Sequence, residues 1–128
     1  MKQTLFATAY LTDDYDAAIA WFRAALGWVL LEDTDMGGGK RWVRIAPHEG
    51  AETSFLIARA VGDQAAAIGQ HAGGRVGYFL HTDDFAAQYA RMRAAGVQFE
   101  EAPRHEPYGT VAVFRDLHGN RWDLIEPG

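Results

Sequence analysis

Thr12-Asp13-Asp14-Tyr15 returns 70 residues later as Thr82-Asp83-Asp84-Phe85, each copy closing an apolar strand-like run and opening an Ala-rich helical stretch. Aspartates at such a junction offer acceptors to the first N–H groups of a helix, which have no partner within it. Behind them, Ala18, Phe22 and Ala25 lie at i, i+4 and i+7 in the first copy, and Phe85, Tyr89 and Met92 do so in the second; each set is one apolar helical face. The same offset, within one residue, relates Leu26-Gly27-Trp28-Val29 to Ala95-Gly96-Val97-Gln98 and Pro47-His48-Glu49-Gly50 to Asp116-Leu117-His118-Gly119. One supersecondary unit is therefore written twice, and a duplicated unit brings a shared surface on which small molecules bind.

Reading outward, Thr4 to Leu11 is a strand and Leu26-Gly27 ends the helix that follows it. Trp28 to Glu32 is again strand-like, Gly37-Gly38-Gly39 supplies a turn, and Arg41 to Ala46 and Thr53 to Ala58 complete a β-α-β-β-β order. A connection rich in Gln, Ala and Gly follows, with one short helix near Ala65. Arg75 to His81, the second helix, Gln98 to Ala102, Thr110 to Arg115 and Arg121 to Glu126 repeat the order, with Pro103, Pro107 and the Asp116 to Asn120 turn between strands. The predicted fold is α+β, with two tandem βαβββ modules at about residues 4–59 and 75–127, a linker at 60–74, and a single domain over 1–128.

Composition excludes several function classes. A formal charge of −5 with no basic run argues against nucleic acid or an anionic membrane as partner. The absence of cysteine removes disulfides, thiolate nucleophiles and Cys-based zinc sites. No apolar run approaches the ~20 residues that span a bilayer, and Met1-Lys2-Gln3 lacks the apolar core of a signal peptide, so the expected location is cytoplasmic.

The paired order, ending in Pro107-Tyr108-Gly109 and Val113-Phe114-Arg115-Asp116-Leu117-His118-Gly119-Asn120, resembles the vicinal oxygen chelate superfamily, which includes glyoxalase I, extradiol dioxygenases, fosfomycin-resistance enzymes and bleomycin-resistance proteins. Asp14, Trp21-Phe22 and Leu26-Gly27 support the resemblance, which runs from about Leu5 to Pro127. It implies curved sheets forming a cup with helices outside, and two metal-ligand positions per unit, on the first and last strands. Those positions fall here on Ala7 and Ser54 in the first unit and on Gly77 and Asp123 in the second. Only the aspartate is a good ligand, and a catalytic centre needs at least about three protein ligands, so neither a divalent metal nor another cofactor is expected.

Of His48, His71, His81, His105 and His118, four fall in apparent turns or loops. His81 ends a strand and, counted by twos from Gly77 through Phe79, faces the cup. Asp123, between Trp122 and Leu124, either faces the cup as a binding group or pairs with Arg121 two positions back. Ser54 has no base beside it and reads as structural. Arg41-Trp42-Val43-Arg44 mixes cations with an aromatic, which suits an anionic or aromatic ligand and equally an ordinary amphipathic strand. Gly37-Gly38-Gly39-Lys40 lacks phosphate-loop spacing and precedes a strand.

The bleomycin-resistance branch buries its ligand between subunits against aromatic side chains. The resemblance therefore implies Trp42, Phe79, Tyr108 and Phe114 as candidate walls, roughly half of them core, with Arg44, His81 and Asp123 fixing ligand orientation. The expected function is metal-independent binding of a small apolar or aromatic molecule at the module or dimer interface of a homodimer, rather than catalysis. The alternative is an enzyme: a metal-dependent lyase or dioxygenase with atypical ligands, or an isomerase or hydrolase with His81 or Asp123 as general base.

Overall fold

In the computed structural model, which describes residues 1–128, Asp14 and Asp84 cap two helices in one geometry. Each carboxylate accepts from the N–H three residues on, that of Ala17 or Ala87, at 3.1 Å. The hydroxyls of Thr12 and Thr82 accept from the Asp14 and Asp84 N–H groups, both at 3.2 Å. The helices are α1, Tyr15–Trp21, and α2, Phe85–Ala94. The first does not run unbroken to Gly27 but widens into a π turn over Phe22–Leu26. Gly27 at φ 73° and Gly96 at φ 85° then stop the two copies in the left-handed conformation, which costs a glycine no Cβ clash.

The chain divides into two compact units, Met1–Ile68 and Gly69–Gly128. Residues 60–68 go with the first, where the Ala60 N–H donates to the Thr12 carbonyl at 2.9 Å and a 3-10 helix runs over Gly62–Ala67. Its sheet comprises β1 (Ala7–Thr12), β2 (Val29–Gly37), β3 (Lys40–Ala46) and β4 (Ser54–Arg59) in the order β1-β4-β3-β2. β1 is parallel to β4, and the other pairs are antiparallel. Phe22 is the centre of the packing: fully buried, it meets the Tyr10 ring edge-on at 5.1 Å, Phe55 edge-on at 5.7 Å and Trp28 at 5.0 Å. Such aromatic pairs add about 0.5–1.5 kcal/mol each beyond the area they bury.

β2 extends past the expected end at Glu32, through Glu32-Asp33-Thr34-Asp35, which composition alone reads as loop. The ladder to β3 supports this acidic arm, and Arg41 ties it down with Nε on Asp33 Oδ1 at 3.1 Å, Nη2 on Asp33 Oδ2 at 2.6 Å and Nη1 on Asp16 at 2.9 Å.

The second unit holds β5 (Val76–His81), β6 (Gln98–Phe99), β7 (Arg104–Glu106), β8 (Gly109–Arg115) and β9 (Arg121–Pro127), ordered β5-β9-β8-β6 with β7 also paired to β8. β5 is parallel to β9, as β1 is to β4. Two sequence expectations are corrected here. The strand expected over Gln98 to Ala102 ends at Phe99, and Arg104-His105-Glu106, read as part of a connection, is a strand. His105 is accordingly a strand residue, its Nδ1 3.2 Å from Thr110 Oγ1. Pro103 and Pro107 bracket the short strand without sitting inside it, and this is the placement a residue lacking an N–H tolerates.

The β8–β9 turn is built on Asp116, which is buried. Its carboxylate accepts from the N–H groups of His118 at 3.1 Å and Asn120 at 3.0 Å, from Asn120 Nδ2 at 3.1 Å and from Trp122 Nε1 at 2.9 Å. No helix of the chain is long and apolar enough to cross a membrane.

Candidate functional site

Paired strand residues project to the same side of a sheet, so the register sorts the side chains. In the second unit Trp122 pairs with Tyr78 and Phe114, and Leu124 with Leu80 and Ala112. These side chains lie on the face carrying α2, whose first N–H donates to Glu126 Oε1 at 2.7 Å. Phe114 is completely buried there, stacked on Trp122 at 5.5 Å and against Phe99 at 5.7 Å. Phe114 is thus a core residue and not a wall of a binding face. Val111-Ala112-Val113-Phe114 is apolar on both faces, so alternation is silent about which residue points where.

The opposite, open face carries Asp123, paired with Phe79 on one side and Val113 on the other. Phe79 is 62% exposed, well beyond what a core aromatic shows. His81, two residues on, shares that face and is exposed at the strand end. Asp123 Oδ1 is shut off from water and has no hydrogen-bond partner. The alternative of a pairing with Arg121 does not form: Arg121 Nε and Nη2 donate to the two oxygens of Glu100 at 2.8 and 2.9 Å. Burial consequently pushes the Asp123 carboxyl above its ordinary value, against the pull of Arg104 and with Glu101 adding to the rise.

Arg104 is itself committed, with Nε on Glu101 at 2.9 Å and Nη1 on Glu106 at 2.8 Å, and it reaches the Tyr108 hydroxyl at 3.4 Å. Tyr108, 53% exposed, sits on the turn between β7 and β8. Glu101, Arg104 and Glu106 went unnoticed in the sequence. The alternation of Arg104 and Glu106 along β7 is the signal, masked by the flanking prolines, and Glu101 joins them from the segment before the strand.

In the first unit Arg44 pairs with Leu56 and Glu32, on the side away from Phe22. It is bound on three sides: to the Glu32 carboxylate, to Ser54 Oγ through Nε at 3.1 Å, and over the Phe6 ring at 4.4 Å. With help from Trp42, Arg44 holds the Glu32 carboxyl below its ordinary value. Trp42 shares that face and is 37% exposed. Phe6 and Leu5, which sequence reasoning did not single out, are exposed as well.

The four positions at which the fold family places metal ligands do not fit a divalent ion. Ala7 and Gly77 have no donor atom, Ser54 Oγ is occupied by Arg44, and Asp123 is the one carboxylate. No three His, Asp or Glu side chains of the chain are grouped so as to hold a metal.

Over residues 4–124 the sequence matches the family described as the Glyoxalase/Bleomycin resistance protein/Dioxygenase superfamily. The chain belongs to that superfamily, and its two βαβββ-like units, each forming a mixed sheet, are the fold of its members. It is 45% identical to an uncharacterized protein of Shewanella frigidimarina (strain NCIMB 400), over 98% of this chain and 95% of that one. Among solved structures it is similar to UcmS2, with a TM-score of 0.82 and 30% identity over 98% of this chain and 99% of that one. It is also similar to TnmS3, an antibiotic binding protein from Streptomyces sp. CB03234, with a TM-score of 0.77 and 28% identity over 100% and 98% of the two chains.

Proposed function

We propose that this protein binds a small aromatic molecule, without metal, against the open faces of its sheets. The observation that carries this reading is the sealed, unpaired Oδ1 of Asp123 beside the exposed ring of Phe79. A buried acceptor without a donor costs about 1–3 kcal/mol, a cost that a ligand presenting a phenolic O–H or an amine N–H relieves once it displaces the side chains that cover the oxygen. An exposed aromatic next to it supplies apolar area for the rest of such a molecule. The likeness to the antibiotic binding protein TnmS3 supports a small-molecule ligand. The binding form is a homodimer, in which exposed Leu5, Phe6 and Phe79 gain cover.

The test is a titration with a panel of polycyclic aromatic antibiotics, read by Trp fluorescence, on wild type, Phe79→Ala, Trp42→Ala, Asp123→Asn and Phe114→Ala. Phe79→Ala should lose affinity while changing stability by less than about 1 kcal/mol, whereas Phe114→Ala should cost the ~3–5 kcal/mol of a buried aromatic. Asp123→Asn should weaken ligands that carry donors and leave hydrocarbon-like ones unaffected. Affinities unchanged in both Phe79→Ala and Asp123→Asn would refute the assignment.

A further inference from the structure

A second feature of the Gly69–Gly128 unit lies at the start of its sheet. The loop from Gly69 to Arg75, the first residues of β5 and β9 and the end of β8 enclose a recess of about 140 Å³. That is the liquid volume of four or five waters at ~30 Å³ each, too small for a drug-sized molecule, which needs a pocket of roughly 300 Å³ or more. Its charged lining is Arg75, Arg115 and Arg121, and no carboxylate lines it. In a chain of formal charge −5 this concentration of cations is a local exception.

Several contacts build the recess. The His71 N–H donates to Asn120 Oδ1 at 3.2 Å, and Arg121 Nη1 donates to the Gly74 carbonyl at 3.3 Å. The loop lies close because two positions lack a side chain: a Cβ on Gly69 would run into the His118 carbonyl oxygen, and one on Gly77 would come within 2.6 Å of the Ala72 Cβ. Tyr78 and His71 form one wall, with the phenol 3.0 Å from Nδ1. Burial lowers the imidazole against the pull of the Asp116 charge, and burial together with that charge pushes the phenol up to about 12.

The nearby negative charges are already engaged. Glu100 spans Arg115 at 3.0 Å and Arg121 at 2.8 Å, one carboxylate for two guanidiniums. Asp116, whose charge reaches His71 and Tyr78, is taken up by donors of its own turn and by the Trp122 indole of β9. Arg75 takes part in no ion pair.

We propose that this recess binds a phosphate group, with Arg75 as its principal contact and Arg115 and Arg121 completing the cation set. The volume admits a tetrahedral oxyanion, and guanidinium forks suit one. The recess shares no lining residue with the Asp123–Phe79 face, so loss of phosphate binding and loss of aromatic-ligand binding are read separately.

The test follows backbone amide shifts of the 15N-labelled full chain during titration with inorganic phosphate, phenyl phosphate and acetate. The expected result is saturable binding, with shifts centred on residues 69–78 and 119–121. Arg75→Glu should weaken phosphate at least about tenfold, as loss of a charge-assisted contact does, and Arg75→Ala somewhat less. Arg91→Glu on α2, which does not line the recess, should leave it unchanged. Binding of phenyl phosphate as tight as that of phosphate identifies a monoester ligand, and a preference for phosphate identifies the free ion; either supports the site. Shifts that never saturate, an acetate affinity equal to that of phosphate, or wild-type binding by both Arg75 variants would overturn it.

Discussion

One carboxylate oxygen without a donor shapes the energetics of the second unit's open face. Because burial raises the folded-state pKa of Asp123 above its unfolded value, the native state binds more protons than the unfolded state between the two values. Stability therefore falls as pH rises through that window, and the loss is complete above the folded pKa. Asp123→Asn should accordingly raise the melting temperature at pH 7, and the gain should vanish below the ordinary aspartate range of about 3.9. Thermal scans from pH 3 to 8 check this, and a variant no more stable than wild type at pH 7 would show that the charge is compensated. The orientation of Asp123 was legible in the sequence, since apolar Trp122 and Leu124 on either side claim the helix-packed face. Its isolation was not, because whether Arg121 turns to Asp123 or to Glu100 depends on how β6, β8 and β9 line up in space.

At the scale of elements, the two caps are a natural duplicate experiment. Asp14 and Asp84 accept at equal distances from the N–H three residues on, so Asp14→Ala and Asp84→Ala should each cost about 1 kcal/mol in urea denaturation. A cost more than twice as large in one copy would mean that its cap does more than close a helix. These junctions, the stop glycines and the three-glycine hairpin tip were readable because each is a local rule about φ or an orphaned N–H. β7 and the acidic half of β2 were not, since both are strands whose composition reads as loop and which exist through pairing with β8 and β3. The Asp116 turn showed itself as a turn, but the four donors its carboxylate gathers include Trp122 six residues away, a contact that only the closed hairpin creates.

For the whole molecule, light scattering on a size-exclusion peak at tens of micromolar should give twice the 14.1 kDa chain mass; the mass of one chain would remove the homodimer from the proposal. A separate consequence follows from the parallel pairing of first and last strands. β1 finds β4 within the first 59 residues, so that unit can close while the remainder is still being synthesised. β5 has one neighbour, β9, which ends at Pro127. Every residue of the second unit must therefore leave the ribosome before β5 is paired, and contacts so distant in sequence form slowly. During that wait Val76-Gly77-Tyr78-Phe79-Leu80 is an unpaired apolar strand, open to the edge of any neighbouring chain. The interval between making β5 and making β9 is therefore a stage of synthesis at which this strand is exposed to aggregation, as the interval between β1 and β4 is for the first unit, whose edge strand likewise has one neighbour.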